Sequence, residues 1–190
     1  MFANDYRGSL WYKDRQPGWT DMHYQMRNWY YYTWLSGDFN VEQHVHFLDI
    51  CAWAKGAYPV KAIGMGGRAV RKEAKYGNIF DHHGVVYEFA DGARLASNTR
   101  QIRGCKSEMS AQIYGGTGRA NINERRGGIY IEHPERERWT FTGERNDIYQ
   151  TEHDEMYAGI RAGKPLNNGE YMAKSTLLAI MGRMATYTGQ

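Results

Sequence analysis

From residue 60 to residue 141 one pattern recurs. PVKAIGMGGRAV, GVVYEFADGARLASNTRQI, KSEMSAQIYGGTGRANI and GGIYIEHP alternate apolar with polar residues, or carry Val, Ile and Tyr between Gly-rich turns. A period of two marks strands with one buried face. Ala90-Asp91-Gly92 supplies a hairpin turn, and Trp139-Thr140-Phe141 a further short strand. Helical spacing brackets this tract on both sides. Upstream, Thr20 caps a helix, Asp21 suits its first turn, and Trp19 can staple onto Tyr24. Met26, Trp29, Tyr30, Thr33 and Trp34 carry the period to about Leu35, with Gly37 as the stop. A second helix is expected from Val41 to Lys55, with Asn40 and Gln43 as a capping box and Gly56 at its end. Downstream, Asp147 to Ala162 reads helical, closed by Gly163-Lys164-Pro165, and Glu170 to Tyr187 forms the last helix. Two helices, antiparallel strands and two more helices predict an α+β fold. It is an open, mostly antiparallel sheet with helices packed on one face, in a single domain over residues 1–190. The opening residues, Tyr6 through Trp19, lack periodicity and read as a strand end running into a loop.

Composition excludes several classes. With 42% hydrophobic residues the chain can build a core, so disorder is ruled out. A net charge of +3 and no Lys/Arg block argue against a nucleic-acid binder. No apolar run approaches the roughly 20 residues of a membrane span. The start, MFANDYRGSL, matches neither a signal nor a transit peptide; a soluble protein is expected, and the sequence leaves open whether its compartment is the cytoplasm or the periplasm. Cys51 and Cys105 read as small buried hydrophobes. Gly64-Met65-Gly66-Gly67 and Gly115-Gly116-Thr117-Gly118 match neither the dinucleotide fingerprint nor a P-loop, and read as bulges or tight turns.

The second helix carries the candidate chemistry. At 100° per residue, Glu42, His46, Asp49 and Trp53 share a stripe, beside an apolar stripe of Val41, Val45, Leu48 and Ala52. Phe47, Ile50, Cys51 and Ala54 make the far side apolar too, so the helix should be buried. Its polar stripe must then be paired or line a cavity. Glu42 and His46, one turn apart, form a carboxylate–imidazole pair suited to acid/base work near neutral pH, or a satisfied core histidine. A rival reading sets Glu42, His44 and His46 on a strand as metal ligands with Asp81, His82 and His83. The helical caps argue against it, because they send His44 to the opposite side from His46, and no metal is expected.

The run from Trp34 to Asp49, WLSGDFNVEQHVHFLD, is flanked by Pro17-Gly18-Trp19-Thr20-Asp21 and by Pro59 through Arg68. Tyr76-Gly77-Asn78-Ile79-Phe80-Asp81-His82 and the closing residues from Gly182 follow the same pattern. Together they resemble the C-terminal domain of the glucose–fructose oxidoreductase / inositol dehydrogenase / rhizopine-catabolism (Gfo/Idh/MocA) family, over essentially the whole chain. The resemblance implies a parent enzyme whose separate N-terminal Rossmann domain binds NAD or NADP. That domain, with its Glu-Lys-Pro motif, is absent from this chain, which is therefore expected to bind no cofactor and to be inactive alone. It implies a sugar, inositol or related polyol as substrate, and pairing of copies through the sheet. Hydrolysis or isomerisation of a sugar, by a metal or by an NAD-assisted route, is the lesser alternative. Glu42 and His46 stand where the family carries an Asp-x-x-x-His pair, with the carboxylate one methylene longer. Asp49 stands where an Asp helps fix the helix. On this reading His46 takes a proton from a substrate hydroxyl while Glu42 orients the ring. Trp11, Trp19 and Trp34 could stack on a sugar ring, and Lys13, Arg15, Arg27, Asp38, Asp81 and His82 could bond its hydroxyls.

Overall fold

Thr20 does cap the first helix, its hydroxyl accepting from the His23 amide at 3.2 Å. The computed structural model describes residues 2–4, 10–123, 127–144 and 146–189, so Tyr6 lies outside the described residues. The elements run β1 (Phe2–Asn4), α1 (Asp21–Arg27), α2 (Thr33–Ser36), α3 (Phe39–Glu42) and α4 (Val45–Lys55). Then come β2 (Lys61–Gly67), β3 (His82–Glu88), β4 (Arg94–Arg100), β5 (Glu108–Tyr114), β6 (Arg119–Asn123), β7 (Tyr130–His133) and β8 (Arg136–Thr140). Two long helices follow, α5 (Ile148–Arg161) and α6 (Gly169–Thr188). The α+β class and the open, mostly antiparallel sheet are as the sequence predicts.

The first expected helix is divided. Asn28 ends α1, because its side chain bonds Lys13 in both directions, accepting from the amide at 2.8 Å and donating to the carbonyl at 3.0 Å. A side chain that offers the backbone another partner stops a helix. A 3-10 turn over Trp29–Tyr31 and the short α2 carry the chain to Gly37, the left-handed stop. Trp19 stacks on His23, with ring centroids 4.6 Å apart, rather than on Tyr24.

The second expected helix is also divided. It starts at Phe39 under an Asp38 cap, not at an Asn40–Gln43 box. Asn40 is buried and donates to the Ala179 carbonyl at 2.9 Å. At Gln43 and His44 the turn widens, both amides reaching the Phe39 carbonyl at 3.1 and 3.0 Å. Both side chains take distant partners, Gln43 with Tyr30 and Gln101, His44 with Ser97. Tertiary bonds here override the helical pattern.

The strands form one sheet in the order β2-β3-β4-β1-β5-β6-β7-β8. Every pairing is antiparallel except that of β1 with β4. Val85 opposes Ser97 across β3 and β4, and Ala111 opposes Ile122 across β5 and β6. Leu48 and Ala52 of α4 pack with Val85, Tyr87, Leu178 and Ala179. Phe47 and Cys51 pack on Ala111, so α4 is apolar on two sides and buried on both. Gly64 and Gly66 lie inside β2 rather than in a bulge or turn. A Cβ on Gly64 would meet Thr186 of α6 at 2.8 Å, and one on Gly66 the His82 carbonyl at 2.6 Å. Their glycines admit a close helix–sheet approach. Gly115–Gly118 is a tight turn as expected, the Gly115 amide donating to the Gly118 carbonyl at 2.8 Å. The opposite sheet face is open and carries Ile63, Val86 and Met65, the last 82% exposed. Among the described residues no helix is long and apolar enough to cross a membrane.

Candidate functional site

Asp38 organises the entry to α3 and α4. Its φ of 74° is a conformation that L side chains rarely adopt, and its carboxylate has many partners there. Oδ1 accepts from the Phe39 amide at 2.5 Å, and Oδ2 from the Phe80 amide at 2.9 Å and the Tyr187 hydroxyl at 2.7 Å. His83 Nε2 stands 3.4 Å from Oδ2, and its Nδ1 pairs with Thr186 Oγ1 at 2.9 Å. Burial, and then the Asp38 charge, push the Tyr187 hydroxyl well above the usual phenol range.

The widened turn at Gln43 and His44 separates Glu42 from His46. His44 points inward to Ser97 at 3.0 Å, and burial holds its pKa down to about 3. His46 points outward and is exposed. Glu42 is half-buried, its Oε2 is sealed from solvent without a hydrogen-bond partner among the described residues, and burial raises its pKa. Among the described residues no hydrogen bond or ion pair joins Glu42 to His46, because the helix that would have stacked them is broken between them. Asp49 ties α4 to α6, accepting from the Ser175 hydroxyl at 2.5 Å and from the Tyr171 hydroxyl. Trp53 is exposed.

The other sequence-predicted residues divide into three groups. Asp38 and Asp81 are fully buried, and their oxygens are occupied within the chain. Asp81 accepts from the amides of Ala69 (2.9 Å), Val70 (2.7 Å) and Arg71 (2.8 Å), and pairs with His82 Nδ1 at 2.7 Å. Burial pushes its pKa up, but these bonds together outweigh it and hold the carboxyl below the usual range. Arg15 and Trp19, in the loop before α1, and Trp34, on α2, lie near the surface around α1. Arg15 pairs with Asp21 at 2.7 Å and lies 4.5 Å from the Tyr24 ring centroid, while the Trp34 indole donates to Gln25 at 2.8 Å. Lys13 and Arg27 are exposed on the same stretch of chain, and His82 is half-buried beside Asp81. Trp11, with φ of 52°, stacks on Trp29 at 5.3 Å and meets Tyr30 edge-on at 5.6 Å.

Sequence reasoning missed the residues around Tyr30. Its hydroxyl bonds Gln43 at 3.1 Å and Gln101 at 3.0 Å, and burial pushes it well above the usual phenol range. The Arg71 guanidinium lies 5.9 Å from the ring centroids of both Tyr30 and Tyr76. In sequence, Arg71 is one of four cations in a polar loop, and no spacing sets it apart from a solvated one.

His44, His46, His82 and His83 do not converge. Among the described residues no three His, Cys, Asp or Glu side chains are placed to hold a metal ion. Neither glycine cluster opens a helix, so the described residues do not fit a dinucleotide cradle. Two surface clefts, of about 560 Å³ beside Gly116 and Arg138 and about 270 Å³ beside Ile63 and Val86, include none of the predicted site residues.

No protein-family model and no curated protein matches the chain. Solved structures do. Aldose–aldose oxidoreductase from Caulobacter crescentus, complexed with glycerol, is similar at a TM-score of 0.67 and 14% identity, over 100% of this chain and 53% of that one. Levoglucosan dehydrogenase, in complex with NADH and levoglucosan, gives 0.68 at 12% identity, over 99% and 55%. UDP-N-acetylglucosamine 3-dehydrogenase from Acidithiobacillus ferrooxidans gives 0.68 at 18% identity, over 82% and 49%. The chain spans about half the length of these structures, and at such identities the likeness establishes the fold.

Proposed function

We propose that this chain is the substrate side of a nicotinamide-dependent oxidoreductase acting on a sugar, inositol or related polyol. The observation that carries the reading is the fold. Between 82% and 100% of the chain follows about half of oxidoreductase chains whose names specify sugars. The nicotinamide falls to a dinucleotide-binding domain outside these residues, since no described segment fits a cradle for it. The chain's own part is the proton. When a hydroxyl-bearing carbon is oxidised, the hydroxyl proton needs an acceptor with a pKa near neutral. His46 is exposed at the start of α4 and serves as that base. Glu42 acts on it through the bound polyol rather than by a direct bond, its sealed oxygen accepting from a ligand hydroxyl. Trp11 and Trp34 offer aromatic faces to the ring, and Lys13, Arg15, Arg27 and His82 offer donors. Asp38 and Asp81 act behind them by holding the two loops in place.

The test is turnover. Joined to a dinucleotide-binding domain in a full-length polypeptide, the chain should reduce NAD or NADP with at least one aldose, uronate or inositol. The isolated 190 residues should not. Turnover by the isolated chain contradicts the division of labour, and silence of the joined protein across a broad polyol panel contradicts the substrate class.

A second reading, compatible with the first, is that copies pair through the sheet. It rests on the open face, where Ile63, Met65 and Val86 are exposed.

A further inference from the structure

Arg71 is 2% exposed, and Nε, Nη1 and Nη2 are all sealed from water without a hydrogen-bond partner among the described residues. A guanidinium out of water and unpaired costs several kcal/mol, and such groups are ordinarily matched by an anion. Asp81 does not supply one. Its carboxylate bonds the Arg71 amide, not the guanidinium, and its remaining capacity goes to Ala69, Val70 and His82. The Tyr30 and Tyr76 rings hold the guanidinium in place but neutralise nothing. The surrounding loop is basic. Arg68, Arg71, Lys72 and Lys75 stand against Glu73 alone, an excess of three charges, equal to the +3 of the whole chain. Of these, Lys75 pairs with Glu73 at 2.9 Å and Arg68 donates to the Arg71 carbonyl at 2.6 Å, which pins the loop backbone around the orphaned fork.

We infer that Arg71 is the receptor for an oxyanion, a carboxylate or phosphate group, on the ligand this domain takes. The fork geometry of a guanidinium suits both groups bidentately. Glu42, with its own sealed and unpaired oxygen, lies with Arg71 in electrostatic reach of the Tyr30 hydroxyl. The inference deepens the polyol reading by making the polyol acidic, as a sugar acid or a sugar phosphate. Its test needs no turnover, so the two can fail separately.

The experiment is thermal unfolding of the 190-residue chain with inorganic phosphate, with D-glucuronate, and with D-glucose as the neutral counterpart. Chloride keeps the ionic strength equal. Either anion at about a hundred times its dissociation constant should raise Tm by about 5 °C, and glucose or chloride should not. A response to glucuronate alone assigns a carboxylate, to phosphate alone a phosphate, and to both an undiscriminating fork. Arg71→Met should abolish the response and should itself melt no lower than the parent, because it removes an unpaired buried charge. Arg71→Lys keeps the charge without the fork and should retain less than half of the response. The inference is overturned if no anion stabilises the chain beyond chloride, or if the response survives in Arg71→Met. It is also overturned if Arg71→Met lowers Tm by more than about 5 °C, which would mark the guanidinium as structural.

Discussion

His44 and His46 lie two positions apart and do opposite things. The inward ring is held neutral against Ser97 and the outward one meets solvent. The inward ring has a folded pKa of about 3, below the ordinary imidazole value of 6.5, so the unfolded state binds the extra proton first. Stability from this group is therefore fully present above about pH 6.5 and is lost as pH falls toward 3. Between pH 7 and pH 5 the loss should be about 2 kcal/mol, and His44→Gln should remove that portion of the slope in urea unfolding. A parallel slope in the variant contradicts the assignment. At this scale the sequence was only partly legible. It placed His44 and His46 on opposite sides, but it set Glu42 against His46, because spacing cannot register a Gln43 that prefers Tyr30 and Gln101 to the helix. Arg71 left no signal at all, since its isolation is a property of what fails to surround it.

Strands and the two long helices were legible as elements, because period two and helical spacing are properties of the local chain. The divided helices were not, since Asn28, Gln43 and His44 end them with partners 13 to 58 residues away. Neither was β1, whose place between β4 and β5 depends on pairing partners about a hundred residues on. The contact of α4 with α6 gives a direct check. Asp49→Ala leaves the Ser175 and Tyr171 hydroxyls without their acceptor and should cost about 2 kcal/mol in chemical unfolding. An unchanged midpoint would show that the tie carries no energy. Where α6 meets β3, a Cβ on Gly182 would collide with the fully buried Tyr87 hydroxyl. Gly182→Val should therefore destabilise by about 3 kcal/mol or prevent folding, whereas Gly116→Ala, in open space, should be neutral.

For the molecule as a whole, the sheet divides two kinds of surface. One face carries α4 and α6, with His46 at the beginning of α4. The other carries Ile63, Met65 and Val86 in solvent. If copies pair through that second face, the chain should sediment as a dimer, and Met65→Lys with Val86→Glu should return it to a monomer with its melting point unchanged. A monomer at high concentration in the parent contradicts the pairing. The most direct test of the account concerns the first face, in a full-length polypeptide that turns over a polyol. Replacing His46 by Ala should lower kcat by about 100- to 10,000-fold, the usual range for a lost general base, while dinucleotide affinity stays the same. A variant that keeps the parent's kcat would contradict the role of His46 and leave this chain with the scaffold alone.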